Sequence, residues 1–262
     1  MSPGGDQKTR RARLTLAGLG VLAAAVLVGG GYAAAVLMED GDAKVPAVGA
    51  PTAGTSPSAP VSGPPAASAP PLTPATGKVM VLDRPTGQKD GINTGFKASP
   101  VGGVSAAVYW WEGLSFLDDQ KAEQQLRAMT SPQATGLVDK YVSEIRKLRE
   151  GIGLPPSGGN TSEIRFTTSV KAARAVTVPA PGVTKGAVME VWMEYDRYAT
   201  GPDGAPDKNP LRNQSTSVMV IWQDGAWKLT NQYDGFKSYP VAYDPDSPYA
   251  WRDHWAQVRH GE

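Results

Sequence analysis

The chain contains no cysteine. That excludes disulfides, thiolate metal centres, a cysteine nucleophile and a lipidated N-terminal cysteine, while saying almost nothing about redox compartment. Histidine is nearly as scarce. His254 and His260 are the only two, both close to the C-terminus, so a histidine-based catalytic or zinc site has to be assembled from the tail. A surplus of either charge is missing too: 26 basic residues stand against 25 acidic ones, for a net charge of +1. Such a chain has no overall field to draw it onto nucleic acid, which is not expected as a partner. No catalytic residue, cofactor or metal ligand is expected from these residues.

What the chain does have is a long apolar run. Residues Leu14 to Met38 read LTLAGLGVLAAAVLVGGGYAAAVLM without a charge, and about 20 such residues cross a bilayer core. Lys8, Arg10, Arg11 and Arg13 precede the run, and Glu39, Asp40 and Asp42 follow it. The basic flank is the one retained inside, so the expectation is a cytoplasmic tail over 1–13 and a single transmembrane helix over 14–38. This makes the chain a single-pass protein of a bacterial plasma membrane, touching the lipid bilayer through 14–38 with its C-terminal part extracytoplasmic. A cleavable signal peptide is the alternative, favoured by Ala33-Ala34-Ala35 but opposed by the length of the run, since signal cores span about 7–15 apolar residues.

Residues 39–77 are dominated by Pro, Ala, Ser, Thr and Gly, with PTAGTSPSAPVSGPPAASAPPLTP at their centre. A segment with so few large apolar side chains does not offset its ordering entropy and reads as a disordered spacer. Its prolines favour extended stretches of up to about 3.1 Å per residue. The composition is also that of O-glycosylated stalks. Asn160 and Asn213 open N-x-Ser/Thr triplets, which matter only in a host that glycosylates them.

A soluble domain is expected over 78–262. Helical spacing marks a first helix over 101–117, with Val104, Ala107, Val108 and Trp111 on one stripe after Ser99-Pro100. A second, more polar helix is expected over 118–129, where Asp118 and Asp119 suit the electropositive start. A third is expected over 131–151, opened by Ser131-Pro132, carrying Leu137, Val138, Tyr141, Val142, Ile145 and Leu148, and closed by Gly151. Its charges, Asp139, Lys140, Glu144, Arg146, Lys147 and Arg149, read as a solvated face.

The period then changes to two. Ile164 to Val170 alternates, a short run follows at Ala175 to Val178, and Ala187 to Tyr198 places Val191, Met193 and Tyr195 on one face. A polar loop over 200–212 leads from Leu211 into Ser217 to Trp222. Asp224-Gly225 is a tight hairpin signal, with Trp227, Leu229 and Asn231 returning. Helices first and antiparallel strands afterwards give an α+β fold with the helices covering one face of a sheet. In the tail, Ser247-Pro248 marks a short helix carrying Trp251, Trp255 and Val258 on one side.

This order of three helices and a run of strands ending in VMVIWQDGAWKLTNQY resembles the NTF2-like fold, a cone of helices on a curved antiparallel sheet. Together with the basic N-terminus, the membrane segment and the Pro/Ala linker, it is similar to the membrane-anchored accessory proteins of bacterial conjugation, the VirB8 and TcpC group. The segment Gly95 to Trp111, GFKASPVGGVSAAVYWW, resembles the start of actinobacterial domains met with mobile elements. The resemblance covers Gly91 to Tyr233 and carries no binding residues onto this chain.

The function expected is therefore a non-enzymatic extracytoplasmic scaffold or interaction domain whose partners are other membrane or envelope proteins, of a conjugation or cell-envelope apparatus. The alternative is a small-ligand or cell-wall binding module with an aromatic-lined pocket. Trp110, Trp111, Trp192, Trp222 and Trp227 are the pocket candidates, and Trp251 and Trp255 an additional interaction face, with core packing as the plain reading of all seven. The resemblance also implies isomerase or dehydratase chemistry as a fold-permitted option. That needs a pocket carboxylate, whereas alternation places Glu190, Glu194 and Asp196 on the strand face opposite Val191, Met193 and Tyr195, towards water. Oligomeric state is left open.

Overall fold

The computed structural model describes residues 79–151, 153–159, 165–180, 182–183, 187–200, 210–234 and 240–261. The expected tail, membrane helix and linker over 1–77 lie outside these residues, as do Asn160, Ile164 and most of the 200–212 loop. Among the described residues no helix is long and apolar enough to cross a membrane.

The architecture is mixed α+β. In chain order the elements are β1 (Val79–Val81), β2 (Gly87–Lys89), β3 (Ile92–Thr94), α1 (Pro100–Gly113), α2 (Asp119–Met129) and α3 (Leu137–Gly151). There follow β4 (Arg165–Thr177), β5 (Val188–Thr200), β6 (Leu211–Gln223), β7 (Ala226–Leu229), α4 (Pro248–Arg252) and β8 (Ala256–Arg259). Six strands form one curved sheet in the order β1-β8-β4-β5-β6-β7, antiparallel except where β1 runs parallel to β8. β2 and β3 form a separate hairpin.

Two turns are written in the same dipeptide. Asp90-Gly91 and Asp224-Gly225 both have positive φ at both positions (51° and 76°, 52° and 75°), the conformation that suits the right-handed twist of a two-residue hairpin. The second joins β6 to β7 as expected and sets Trp222 opposite Trp227.

α1 packs its small residues on the sheet. Ser99 caps it, its hydroxyl accepting from Gly102 N–H at 3.0 Å. A Cβ on Gly103 would lie 3.0 Å from the Trp227 ring and 3.1 Å from Met189 Cε, so glycine sets how close the helix comes to the sheet. The buried set extends beyond the single stripe expected, to Ser105, Ala106 and Trp110. The segment after β1 reaches the helix from a second side: Asp83 N–H donates to Ser105 Oγ at 2.8 Å.

Four expectations are corrected. The third helix begins at Leu137, because Ser131 is used by the sheet: its N–H donates to Leu229 O at 2.8 Å, its hydroxyl meets Gln133 and Gln223, and the chain turns at Gly136 (φ 72°) before the helix opens. Arg149 is not on a solvated face but 2% exposed, donating to the carbonyls of Pro155 (2.8 Å) and Leu117. The separate runs before Val170 and at Ala175 are one strand, continuous through a bulge between Val170 and Ala172. The tail helix ends at Arg252. His254 takes positive φ (67°), and Ala256–Arg259 leaves as β8, so Trp251 and Trp255 share no helix face.

Candidate functional site

The sheet has two faces with different covers. Val191, Met193, Tyr195, Val218 and Val220 point at α1, and with Val104, Val108, Trp110 and Trp111 they make the main core. Within it lies a cavity of about 20 Å³, lined by Trp110, Trp111, Leu126, Met129, Tyr141 and Val218 among others. That is room for about one water, and its walls offer almost no polar surface. The indoles fill the space a ligand would need. Trp110 donates to Asn93 O at 2.8 Å, and Trp111 meets the Tyr195 ring edge-on at 5.4 Å.

The seven tryptophans do not converge. Trp110 and Trp111 share the cavity. Trp222 and Trp227 stack edge-on across their hairpin at 5.5 Å, and Trp227 Nε1 donates to Lys97 O at 2.8 Å. Trp192 lies on the other side of the sheet, half-buried against Ala172, Ala250 and Trp255. Trp251 and Trp255 are 4% and 2% exposed, so they are core and not a free aromatic face.

Trp251 and Trp255 belong to the second cover, which packs on Trp192 of β5. Residues 240–256 cross the outer face of β4 and β5 as a strap. Tyr243 lies between Trp251 and Trp255 at 5.9 and 5.6 Å. Trp255 Nε1 donates to Val241 O at 2.8 Å, closing the strap on itself. Arg174 of β4 clamps it, donating to Asp253 O at 2.7 Å and to Asp253 Oδ1 at 3.0 Å, while Asp253 Oδ2 accepts from Val241 N–H at 2.8 Å.

The strap changes the reading of the three acids. Glu190, Glu194 and Asp196 do lie opposite Val191, Met193 and Tyr195, but they do not face water: they are 8%, 6% and 4% exposed. Alternation reports the face, and the cover comes from residues some fifty positions later. Their burial is also on the face away from the cavity, so the cavity and the carboxylates are not one site.

Around two of the acids is the densest polar cluster of the outer face. Lys171, the bulged residue of β4, places Nζ 2.6 Å from Asn213 Oδ1, 3.1 Å from Asp196 Oδ1 and 3.3 Å from Glu194 Oε1. Asp196 Oδ1 also accepts from Asn213 N–H at 2.9 Å, and Oδ2 accepts from the Tyr198 hydroxyl at 3.1 Å. Asn213 holds φ of 55° at a break in the β5–β6 register, which turns its N–H and side chain towards this cluster. Burial raises the Asp196 carboxyl, but the Asn213 N–H, Lys171 and Tyr198 outweigh it and hold it below the usual range. Burial raises Glu194 as well, and there Lys171 does not offset it, with Asp196 and Asp244 adding to the rise. Burial lowers Lys171 and the two acids more than restore it, so it stays charged above its usual range.

Two carboxyls pushed in opposite directions are what acid–base pairs look like. Here the space between them is taken by the lysine, whose ammonium makes three oxygen contacts. Among the described residues no group of three or more His, Asp or Glu is arranged to hold a metal. Lys171 and Tyr198 were not singled out from the sequence, and Asn213 only as the start of an N-x-Ser/Thr triplet. A lysine inside an alternating strand carries no signal of its own, and the bulge that turns it is a register event between two strands.

No known protein family, curated protein or solved structure matches this chain.

Proposed function

We propose that the folded part of this chain is a non-enzymatic interaction module with an NTF2-like cone, held outside a bacterial plasma membrane by residues 14–38 and spaced from it by 39–77. The observation that carries this reading is how fully the main core is packed by indole and aliphatic side chains. A binding or catalytic cone needs a cavity of hundreds of Å³ with a few polar groups aimed into it, and this one keeps about 20 Å³ with apolar walls. The buried acids support the same reading, since Lys171 bridges Asp196 and Glu194 and Asp196 also accepts from Asn213 N–H. What such a domain offers to other molecules is its outside: helix surfaces, loops and sheet edge. A conjugation or cell-envelope apparatus is the setting that the sequence resemblance favours.

Thermal unfolding of the detergent-solubilised full-length protein tests the filled core. Small apolar ligands and soluble muropeptides at saturating concentration are expected to leave the melting temperature unchanged. A saturable rise with the apolar ligands, accompanied by a change in tryptophan emission, supports a ligand-binding cone instead. A saturable rise with muropeptides supports a wall-binding module.

A further inference from the structure

The two edges of the six-stranded sheet are finished differently. At the β7 edge the chain is covered: Thr130 forms a parallel bridge with Leu229, Ser131 N–H donates to Leu229 O at 2.8 Å, and Lys228 Nζ reaches Ala128 O at 3.0 Å. At the other edge lies β1. Met80 stands beside Val258 of β8, and Leu82 N–H donates to Arg259 O at 2.8 Å. Backbone groups of successive strand residues point to opposite sides. Met80 and Leu82 thus serve β8, and Val79 and Val81 turn their N–H and C=O groups to the side where no described strand lies. Their side chains are unspent as well: Val79 is 42% and Val81 55% exposed, on the outer face beside Gln257 and Arg259. Open, apolar edges of this kind are what soluble domains normally blunt with charge, proline or a covering segment.

We propose that β1 pairs with β1 of a second copy of this chain, antiparallel about Met80, joining two six-stranded sheets into one across a two-fold axis. Three features select a second copy as the occupant. The first is register. Antiparallel pairing centred on Met80 sets Val79 opposite Val81 of the other copy and Val81 opposite its Val79, so each outward N–H and C=O meets its complement and the valines form two apolar cross-strand pairs. The second is closure. A β1-to-β7 contact would propagate into an open filament, and the covered β7 edge prevents it, which leaves the self-complementary pair. The third is the chain that leads into β1. The sequence reads the 39 residues over 39–77 as a spacer, and at up to about 3.1 Å per residue such a spacer reaches far enough for two copies in one membrane whose chains leave the paired strands at opposite ends.

A three-residue edge buries little, so the pairing depends on co-anchoring, which raises the effective concentration of one copy near another. The inference thus rests on the reading of the chain as a membrane-held interaction module. The two fail separately, because self-crosslinking tests this edge and capture of other proteins tests that module.

The absence of native cysteine makes the test clean. Two differently tagged full-length copies, one carrying Val79→Cys and the other Val81→Cys, are co-expressed in membranes and oxidised. Opposed positions in an antiparallel pair have Cα atoms about 5.5 Å apart, within disulfide range, whereas identical positions are about 8 Å apart and outside it. The mixed pair is expected to give about tenfold more covalent dimer than either variant with itself or a Lys89→Cys collision control. Equal yields in all combinations, or a principal adduct with a different protein, would overturn the proposal. A second variant, Val81→Pro, deletes one outward N–H and spares the β8 ladder. Its melting temperature is expected to match the parent while photobleaching of tagged protein in native membrane discs counts one copy in place of two. A folded Val81→Pro protein that still counts as two also overturns it.

Discussion

Lys171 Nζ lies 3.1 Å from Asp196 Oδ1 on the sheet face that a strap of chain beginning some seventy residues later crosses at Ala172, Arg174 and Trp192. The strap excludes water from a face of the sheet that alternation alone assigns to solvent. The lysine then supplies what the water would have supplied. Glu194, two residues from Asp196 and 3.3 Å from the same ammonium, is less well served, because among the described residues no backbone N–H donates to it in the way Asn213 donates to Asp196.

The two acids are therefore expected to respond oppositely to neutralisation. Asp196→Asn removes the charge facing Lys171 and turns one of the two acceptor oxygens into a donor, so Asn213 N–H and Lys171 on one oxygen and the Tyr198 hydroxyl on the other can no longer all be served, at a cost of about 1–3 kcal/mol at pH 7. Glu194→Gln relieves a carboxylate that burial disfavours and is expected to raise the urea midpoint. The signs with pH follow from the shifts. The Asp196 contribution is present above its unfolded value of 3.8 and is lost as pH falls through its lower folded value. The Glu194 cost sets in as pH rises from 4.5 through its higher folded value. The Lys171 contribution is full below 10.5 and is lost as pH rises through its higher folded value. Urea titrations of the two variants from pH 3 to 11 check all three.

Asp119 holds a loop in the same way. It is 0% exposed and accepts from Gly158 N–H (2.7 Å), Arg146 Nε (2.8 Å) and Ser157 Oγ (2.9 Å). Burial raises its carboxyl, and these donors outweigh that and hold it below the usual range. Asp119→Ala is expected to cost about 1–3 kcal/mol and to open the chain near Ser157 to limited proteolysis. Unchanged protection there would contradict the role.

Trp255 anchors the strap. Trp255→Ala removes the ring that packs on Ala172 and Trp192 and the donor to Val241 O, at an expected cost of about 3–5 kcal/mol. Hydrogen exchange should rise first at the amides of β8, which the strap leads into, and of β1, which pairs with β8.

Gly103 sets the distance between α1 and the sheet. Gly103→Val places methyls against the Trp227 ring and Met189, and overpacking of this kind costs about 1–3 kcal/mol. Calorimetry of the variant checks it, and a wild-type melting temperature would mean that the helix is free to lift.

Local chemistry explains what was legible in the sequence. Asp224-Gly225 names its own hairpin, Ser99-Pro100 and Ser247-Pro248 name their helix starts, and the alternation of β5 assigns Val191, Met193 and Tyr195 to the core. The rest depended on partners distant in the chain. Ser131-Pro132 has the chemistry of a helix cap, yet Leu229 competes for Ser131 and wins. Trp251 and Trp255 fit one helix face until β4 and β1 claim Ala256–Arg259 as a strand. Glu190, Glu194 and Asp196 read as solvated because no feature of β5 records what lies over it. Five tryptophans were individually plausible pocket walls and Trp251 and Trp255 a plausible interaction face, and only packing distributes the seven over the two faces of the sheet.

The account centres on a domain that works through its outside and not through its interior. In-cell photo-crosslinking of the full-length membrane protein tests this most directly, with a photoreactive side chain at exposed Tyr249 or Lys140 in one set of variants and at cavity-lining Trp111 in another. Adducts with envelope or transfer proteins from the surface positions, absent when residues 1–38 are deleted and absent from Trp111, are the predicted result. Adducts of Trp111 with a small molecule, and none from the surface, would contradict it.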